Sequence, residues 1–178
     1  MDPLRGSLVL ATVLVTAGCG SDQRHQVETD AAARIMVSSS ALSEGDEIPV
    51  QFTCDGEQVS PPLAWSGKPA KAWALVVDDP DAPGGTFVHW VVLDIPTRTT
   101  SAESGQVPAG GKQVLNSSDR TSYFGPCPPS GEHRYRFTVY ALDAPTKLGT
   151  GASLDDSLDA ISDHATSRGT MTAVYSRE

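Results

Sequence analysis

Residues 72–95 read AWALVVDDPDAPGGTFVHWVVLDI, two apolar segments joined by a turn rich in aspartate, proline and glycine. The turn is too short to hold the crossover helix that parallel strands need. Ala72–Asp79 and Val88–Ile95 are therefore predicted to pair as antiparallel strands. An ordinary turn needs neither three aspartates nor a histidine beside a tryptophan. Because loops on rigid strands concentrate binding residues, this turn is predicted to form one wall of an anion pocket.

The remainder of the chain from residue 35 is also predicted to be mostly β-structure, in one domain. The further candidate strands are Ile35–Val37, Ile48–Thr53, Leu63–Trp65, His133–Leu142 and Thr170–Tyr175. Two weaker candidates are Gln106–Val107 and Gln113–Leu115. One helix is predicted from the spacing of Leu154, Leu158, Ile161 and Ala165, ending at Gly169. Many strands with a single late helix favour an antiparallel β fold over an alternating β/α architecture.

Strand alternation predicts that three apolar rows each end in a titratable group. Asp79 ends the row of Trp73, Leu75 and Val77; His89 begins the row of Val91, Leu93 and Ile95; His133 begins the row of Tyr135, Phe137 and Val139. If the three strands are neighbours, then Asp79, His89, His133 and Tyr135 rim one dent at the end of the sheet. A concave site with a few convergent polar groups is typical of ligand binding.

Two histidines and a tyrosine hydroxyl offer hydrogen-bond donors suited to phosphate, sulfate or carboxylate. Asp79 would repel an anion, so its predicted role is to accept a proton from a histidine ring and fix its tautomer. Taken singly, a surface histidine, an Asp-Pro turn former and a core tyrosine are all commonplace. The coincidence of three rows favours a shared site.

The amino terminus predicts export and lipidation. Arg5 precedes the short apolar run Leu8–Val15, and Thr16-Ala17-Gly18-Cys19 resembles a bacterial lipobox. We expect a signal peptide at 1–18, an acylated Cys19 with a flexible tether at 19–33, and a folded domain at 34–178. The alternative is an ordinary secretory signal with Cys19 as a bystander. The predicted location is the extracytoplasmic face of a bacterial cell membrane, held by acyl chains.

Cys54 and Cys127 are the other cysteines, and an exported chain most simply pairs them. Two buried free thiols are the alternative. A formal net charge of −9 argues against a nucleic-acid partner, because phosphate neutralisation needs clustered lysine and arginine.

Several motifs resemble the phosphatidylethanolamine-binding protein (PEBP) family, in its bacterial Raf-kinase-inhibitor-like branch. They are Asp79-Pro80-Asp81-Ala82-Pro83, His89-Trp90, the run from Gly125 to Tyr135 (GPCPPSGEHRY), FTCDG at 52–56, SPPLAW at 60–65 and YALD at 140–143. The resemblance extends from about residue 35 to the carboxyl terminus and does not cover residues 1–33.

The resemblance implies a mostly β fold, a two-sheet antiparallel sandwich with a C-terminal helix at its edge. It implies a small anion pocket for a phosphate or phospholipid head group. The site residues that carry over are Asp79, His89, His133 and Tyr135, with Pro83 and Pro129 at the rim. The motif also implies a cis Ala82–Pro83 bond and agrees with a Cys54–Cys127 bridge. Strand parity turns Arg134 away from His133, which predicts a structural pairing with an acidic residue.

These observations favour a binding module without a cofactor. An alternative is an inhibitor or interaction module that acts on a kinase or protease through its loops. An enzyme is less favoured, because the chain has no Gly-x-Ser-x-Gly elbow and no free cysteine nucleophile. A metal site formed by His89, His133 and Asp79 is conceivable but matches no local metal-binding motif.

Overall fold

The computed structural model describes residues 35–67 and 70–178. The predictions for the signal peptide, the acylated Cys19 and the tether fall on residues 1–33, which lie outside that part of the chain. No helix in the described residues is long and apolar enough to cross a bilayer.

Two antiparallel sheets form the fold, as the sequence predicts. The smaller has the order β1-β2-β5 and the larger β6-β4-β3-β7-β8. The strand bounds are β1 Met36–Ser38, β2 Leu63–Ser66, β3 Ala72–Asp79, β4 Phe87–Ile95, β5 Ser101–Ala102, β6 Lys112–Gln113, β7 Gly131–Leu142 and β8 Ala165–Arg177. Gln106–Val107, a weak strand candidate, is a loop. The paired strands β3, β4 and β7 bring the three predicted titratable groups to one end of the larger sheet.

Apolar side chains pack on both faces of the larger sheet. The main core lies between the sheets, where Trp65 of β2 faces a row from β3 and another from β7. A second cluster on the opposite face is covered by helix α1, Leu154–His164, through the buried Ile161. Because β3 and β4 are covered on both faces, nearly every residue in them is apolar.

Helix α1 begins at an N-cap, in which Ser153 Oγ accepts the backbone N–H of Asp156 at 3.1 Å. The prediction that the helix ends at Gly169 is wrong, because the helix ends at His164 and β8 starts at Ala165. Residues 165–177 pair with nearly the whole of β7, and this ladder satisfies more backbone groups than one further helical turn would.

Residues 48–53 are also not the predicted alternating strand. Val50–Phe52 forms a 3₁₀ turn, with the Phe52 N–H donating to the Pro49 carbonyl at 2.9 Å. Ile48 and Phe52 are buried at 1% exposure, but Val50 is 55% exposed and points to solvent. A 3₁₀ turn has three residues per turn, so Val50 does not share a face with Ile48 and Phe52 as it would in a strand.

Candidate functional site

The site is a pocket of about 320 Å³ where β3 ends and β4 and β7 begin. Its walls come from these strand ends, from the turn after Asp79 and from residues 118–129. The lining residues are Asp79, Ala82, Pro83, Phe87, His89, Ser118, Phe124, Cys127, Pro129 and His133. Five of the six predicted ligand-binding residues line this pocket, and the sixth, Tyr135, does not.

A β-bulge places His89 in the pocket. Val77 pairs with Trp90 and Asp78 pairs with Val88, which leaves His89 as an extra residue between them. The predicted row of His89 with Val91, Leu93 and Ile95 is therefore wrong. Val91 and Leu93 belong to the cluster under α1, whereas Trp90 packs in the core between the sheets.

The hydrogen bond of His89 fixes its tautomer. Its Nδ1–H donates to the Phe124 carbonyl at 2.7 Å, and its ring lies between Phe87 and Tyr135, at centroid distances of 4.8 and 5.3 Å. Burial lowers the pKa of His89, against the raising effects of the Phe124 carbonyl and of Asp79. The neutral ring then carries its proton on Nδ1, which leaves Nε2 for a ligand.

The second histidine is oriented by a carboxylate, as the sequence predicts. His133 Nδ1–H donates to Asp79 Oδ2 at 2.7 Å, and both side chains are buried. The other oxygen, Asp79 Oδ1, accepts the backbone N–H of Asp81 at 2.8 Å. Both carboxylate oxygens are thus engaged within the protein, and Asp79 holds His133 in place.

Two ion pairs anchor the turn from outside the pocket. Arg134 donates to both oxygens of Asp81, at 2.6 and 2.8 Å, which confirms the predicted structural pairing. Arg136 pairs with Asp78 in the same bidentate manner. The Arg134 guanidinium holds the pKa of Asp81 well below its usual range, so the anchor stays charged at any ordinary pH.

Tyr135 lies beneath the pocket. Its side chain is completely buried, and its hydroxyl makes no hydrogen bond within the part of the chain that the structure describes. Burial, with the nearby Asp79 carboxylate, raises the pKa of Tyr135, so the hydroxyl keeps its proton. Tyr135 is therefore not a rim residue as predicted. It supports the pocket from below by packing against the His89 ring.

The disulfide between Cys54 and Cys127 is present, with a Cα–Cα distance of 5.4 Å. It fastens the pocket wall to residues 52–56, where the Cys54 N–H also donates to the Pro126 carbonyl at 3.0 Å. The opposite wall differs from expectation in one respect. The Ala82–Pro83 bond is trans, as are the other peptide bonds in the described residues.

Five lining residues are not among the predicted ligand-binding residues: Ala82 and Cys127, which belong to the quoted motifs, and Phe87, Ser118 and Phe124, which do not. Phe124 acts through its backbone carbonyl, which no side-chain pattern reveals. Phe87 immediately precedes the predicted strand and could have been found from its place two residues before His89. Ser118 belongs to a polar segment whose path over the pocket depends on tertiary contacts.

The donor set does not form a metal centre. Within residues 35–67 and 70–178, no group of three or more His, Cys, Asp or Glu side chains is arranged to hold a metal ion. The pocket can instead present two imidazole rings and a serine hydroxyl to a small polar ligand.

Residues 38–176 match the family model described as "Phosphatidylethanolamine-binding protein". The chain belongs to the PEBP family. A "UPF0098 protein" of Methanothermobacter thermautotrophicus is 44% identical over 144 residues, which cover 77% of this chain and 95% of that protein. The crystal structure of Escherichia coli YbcL, titled a new member of the mammalian PEBP family, superposes with a TM-score of 0.76 at 29% identity. That match covers 82% of this PEBP chain and all (100%) of YbcL.

One further relative is similar over most of the chain, including part of the amino-terminal region. The Mycobacterium tuberculosis protein named "Putative lipoprotein LppC" is 40% identical over 185 residues, covering 93% of this chain and 92% of its own length.

Proposed function

We propose that this PEBP-family chain is a membrane-anchored, extracytoplasmic protein that binds a phosphorylated or otherwise anionic small ligand. A phosphate group, free or as part of a phospholipid head group, fits the chemistry of the pocket. The role is binding, without a catalytic step.

The observation that carries this proposal is the matched orientation of two pocket histidines. Each ring uses Nδ1 inside the protein, His89 on the Phe124 carbonyl and His133 on Asp79. Each therefore keeps Nε2 for a ligand in the same pocket. Because both rings are already oriented, ligand binding does not carry the entropic cost of ordering them. A phosphate oxygen can accept from a protonated Nε2, and the ammonium of an ethanolamine head group or a phosphate hydroxyl can donate to an unprotonated one.

The size and surface of the pocket support a compact head group. A volume of about 320 Å³ is at the small end of ligand sites. Phe87, Phe124 and the two rim prolines make its walls apolar, so water is a weak competitor for hydrogen bonds inside. The net charge of −9 on the chain leaves binding to depend on these local donors.

The anchor is supported by the lipobox-like Thr16–Cys19 segment and by the likeness to LppC over most of both chains. Acyl chains on Cys19 would hold the domain at the membrane surface, where phosphorylated head groups are abundant. Transmembrane segments are not needed for this arrangement.

Isothermal titration of the detergent-purified protein with O-phosphoethanolamine tests the pocket. We expect saturable binding that is weakened at least tenfold by His89→Ala and by His133→Ala, each confirmed as folded by circular dichroism. His164→Ala is the matched control, because this histidine pairs with Asp143 at the end of α1, away from the pocket. Equal affinity in all four proteins would remove the histidines from the site.

A further inference from the structure

A polar loop beside the pocket is organised around one buried side chain. Asn116, at 2% exposure, donates through Nδ2 to the carbonyls of His89 and Ser122, at 2.9 and 3.0 Å. Its Oδ1 accepts the backbone N–H groups of Ser118 and Arg120, at 2.9 and 3.1 Å. We call residues 116–120 the Asn116 loop. Four hydrogen bonds from a single buried amide fix its shape.

The Asn116 loop is also fastened to the strand that carries His89. The Ser117 N–H donates to the Val88 carbonyl at 3.0 Å, and the Val88 N–H donates to Ser117 Oγ at 2.9 Å. Together with the Asn116 bond to the His89 carbonyl, these contacts hold the loop and the histidine as one unit. A side chain on this loop therefore keeps a fixed position relative to the pocket.

One side chain of the loop lines the pocket, and a second, Arg120, stacks on an aromatic ring of the pocket wall. Ser118 lines the pocket. The Arg120 guanidinium carbon lies 5.5 Å from the centroid of the Phe124 ring, and the His89 ring lies 5.7 Å from that same centroid. Stacking on an aromatic ring restrains Arg120 while leaving its N–H groups available. Arg120 forms no ion pair in the part of the chain that the structure describes.

The pocket interior has no excess positive charge, so a cation from outside it would help to bind a doubly charged ligand. Asp79 brings a negative charge that can at most be balanced by His133, its hydrogen-bond partner. Burial lowers the pKa of His89, which favours its neutral form. The interior thus offers directional contacts with no excess positive charge, and a doubly charged ligand needs a cation close by.

We propose that the Asn116 loop selects ligands by charge, with Arg120 contacting the outer oxygens of a phosphate monoester dianion. The preferred ligand class is accordingly a phosphate monoester, ahead of phosphodiesters and carboxylates. This inference rests on the proposed function of the pocket. The carboxylate of Asp119, exposed beside Arg120, reduces the attraction of the arginine for an anionic ligand.

O-phosphoethanolamine and glycerophosphoethanolamine separate the two ligand classes, because they share the amine and differ in being a monoester and a diester. At pH 8 and low salt the monoester carries two negative charges, since its second pKa lies near about 6. We expect the wild-type protein to bind the monoester more tightly. Arg120→Gln should weaken monoester binding about fivefold and diester binding less than about twofold. Arg98→Gln removes the same charge beyond the opposite end of β3 and should change neither.

Asp119→Asn provides a reciprocal test with the opposite sign. Asp119 has φ 55°, a conformation that asparagine adopts readily, so the backbone should be undisturbed. Removing this carboxylate should tighten monoester binding. If the wild-type protein binds neither ligand, the proposed function fails. If it binds both but Arg120→Gln behaves like Arg98→Gln, or Asp119→Asn leaves the affinity unchanged, the pocket stands and the charge-selecting loop is wrong.

Discussion

His133 and Asp79, 54 residues apart in the chain, share a buried hydrogen bond of 2.7 Å at the pocket wall. This bond joins β7 to the end of β3, and the same carboxylate also accepts the Asp81 N–H in the turn that follows. One side chain therefore orients a candidate ligand group and closes the turn. Its removal should affect both stability and binding.

Asp79→Ala is expected to lower the free energy of unfolding by about 2–3 kcal/mol, because it leaves His133 Nδ1 and the Asp81 N–H without partners in a buried place. Asp79→Asn keeps an acceptor of the same shape and should cost about half as much. Urea unfolding followed by tryptophan fluorescence measures both variants. Equal losses for alanine and asparagine would show that the two hydrogen bonds contribute little.

The buried His89 should make stability fall in mild acid. Its native pKa lies below the ordinary 6.5, so the unfolded chain binds a proton more readily as the pH drops below that value. The stability linked to His89 is thus fully present above about pH 6.5 and is lost as the pH falls toward the native pKa.

His89→Asn isolates this contribution, because the asparagine amide can still donate to the Phe124 carbonyl. Between pH 7.5 and 5.5 the urea midpoint of the wild-type protein should fall further than that of the variant. The nearby carboxylates Asp78 and Asp79 are common to both proteins and cancel in the comparison. Parallel pH profiles would contradict the assigned neutral state.

The Cys54–Cys127 bridge closes a long segment, with 73 residues of separation. The double variant Cys54→Ser/Cys127→Ser should be less stable by about 4–4.5 kcal/mol on the chain-entropy model. Ligand affinity should fall far less, because the Cys54–Pro126 backbone bond and the Tyr123 hydroxyl bond to the Phe52 carbonyl still hold the pocket wall. Comparing urea midpoints and titrations for the oxidised and double-variant proteins separates the two effects.

Acylation of Cys19 can be checked by growing cells with an alkyne-labelled fatty acid. The wild-type protein should take up the label and partition into the detergent phase of Triton X-114. Cys19→Ala should remain unlabelled, whereas the Cys54→Ser/Cys127→Ser variant should label normally. An unlabelled wild-type protein would favour an ordinary secretory signal, and labelling of Cys19→Ala would place the acyl chain on another residue.

Much of the fold and most of the site could be predicted from the sequence, because apolar alternation and turn chemistry are local signals. The pairing of β3 with β4, the Asp79–His133 contact and the outward Arg134 all follow from them. The bulge at His89 is not local, since it depends on how β4 settles against β3. For the same reason the end of α1 and the 3₁₀ turn at Val50 were missed, as competing tertiary hydrogen bonds decide both.

The extra residue at His89 acts as a change of phase within β4. After this residue the side chains alternate between the two cores, with Trp90 and Val92 between the sheets and Val91 and Leu93 under α1. A second irregularity, near Asp94 with φ 53°, shifts the strand again before Ile95. Deleting a single residue at the bulge would restore an unbroken alternation and turn the His89 side chain out of the pocket.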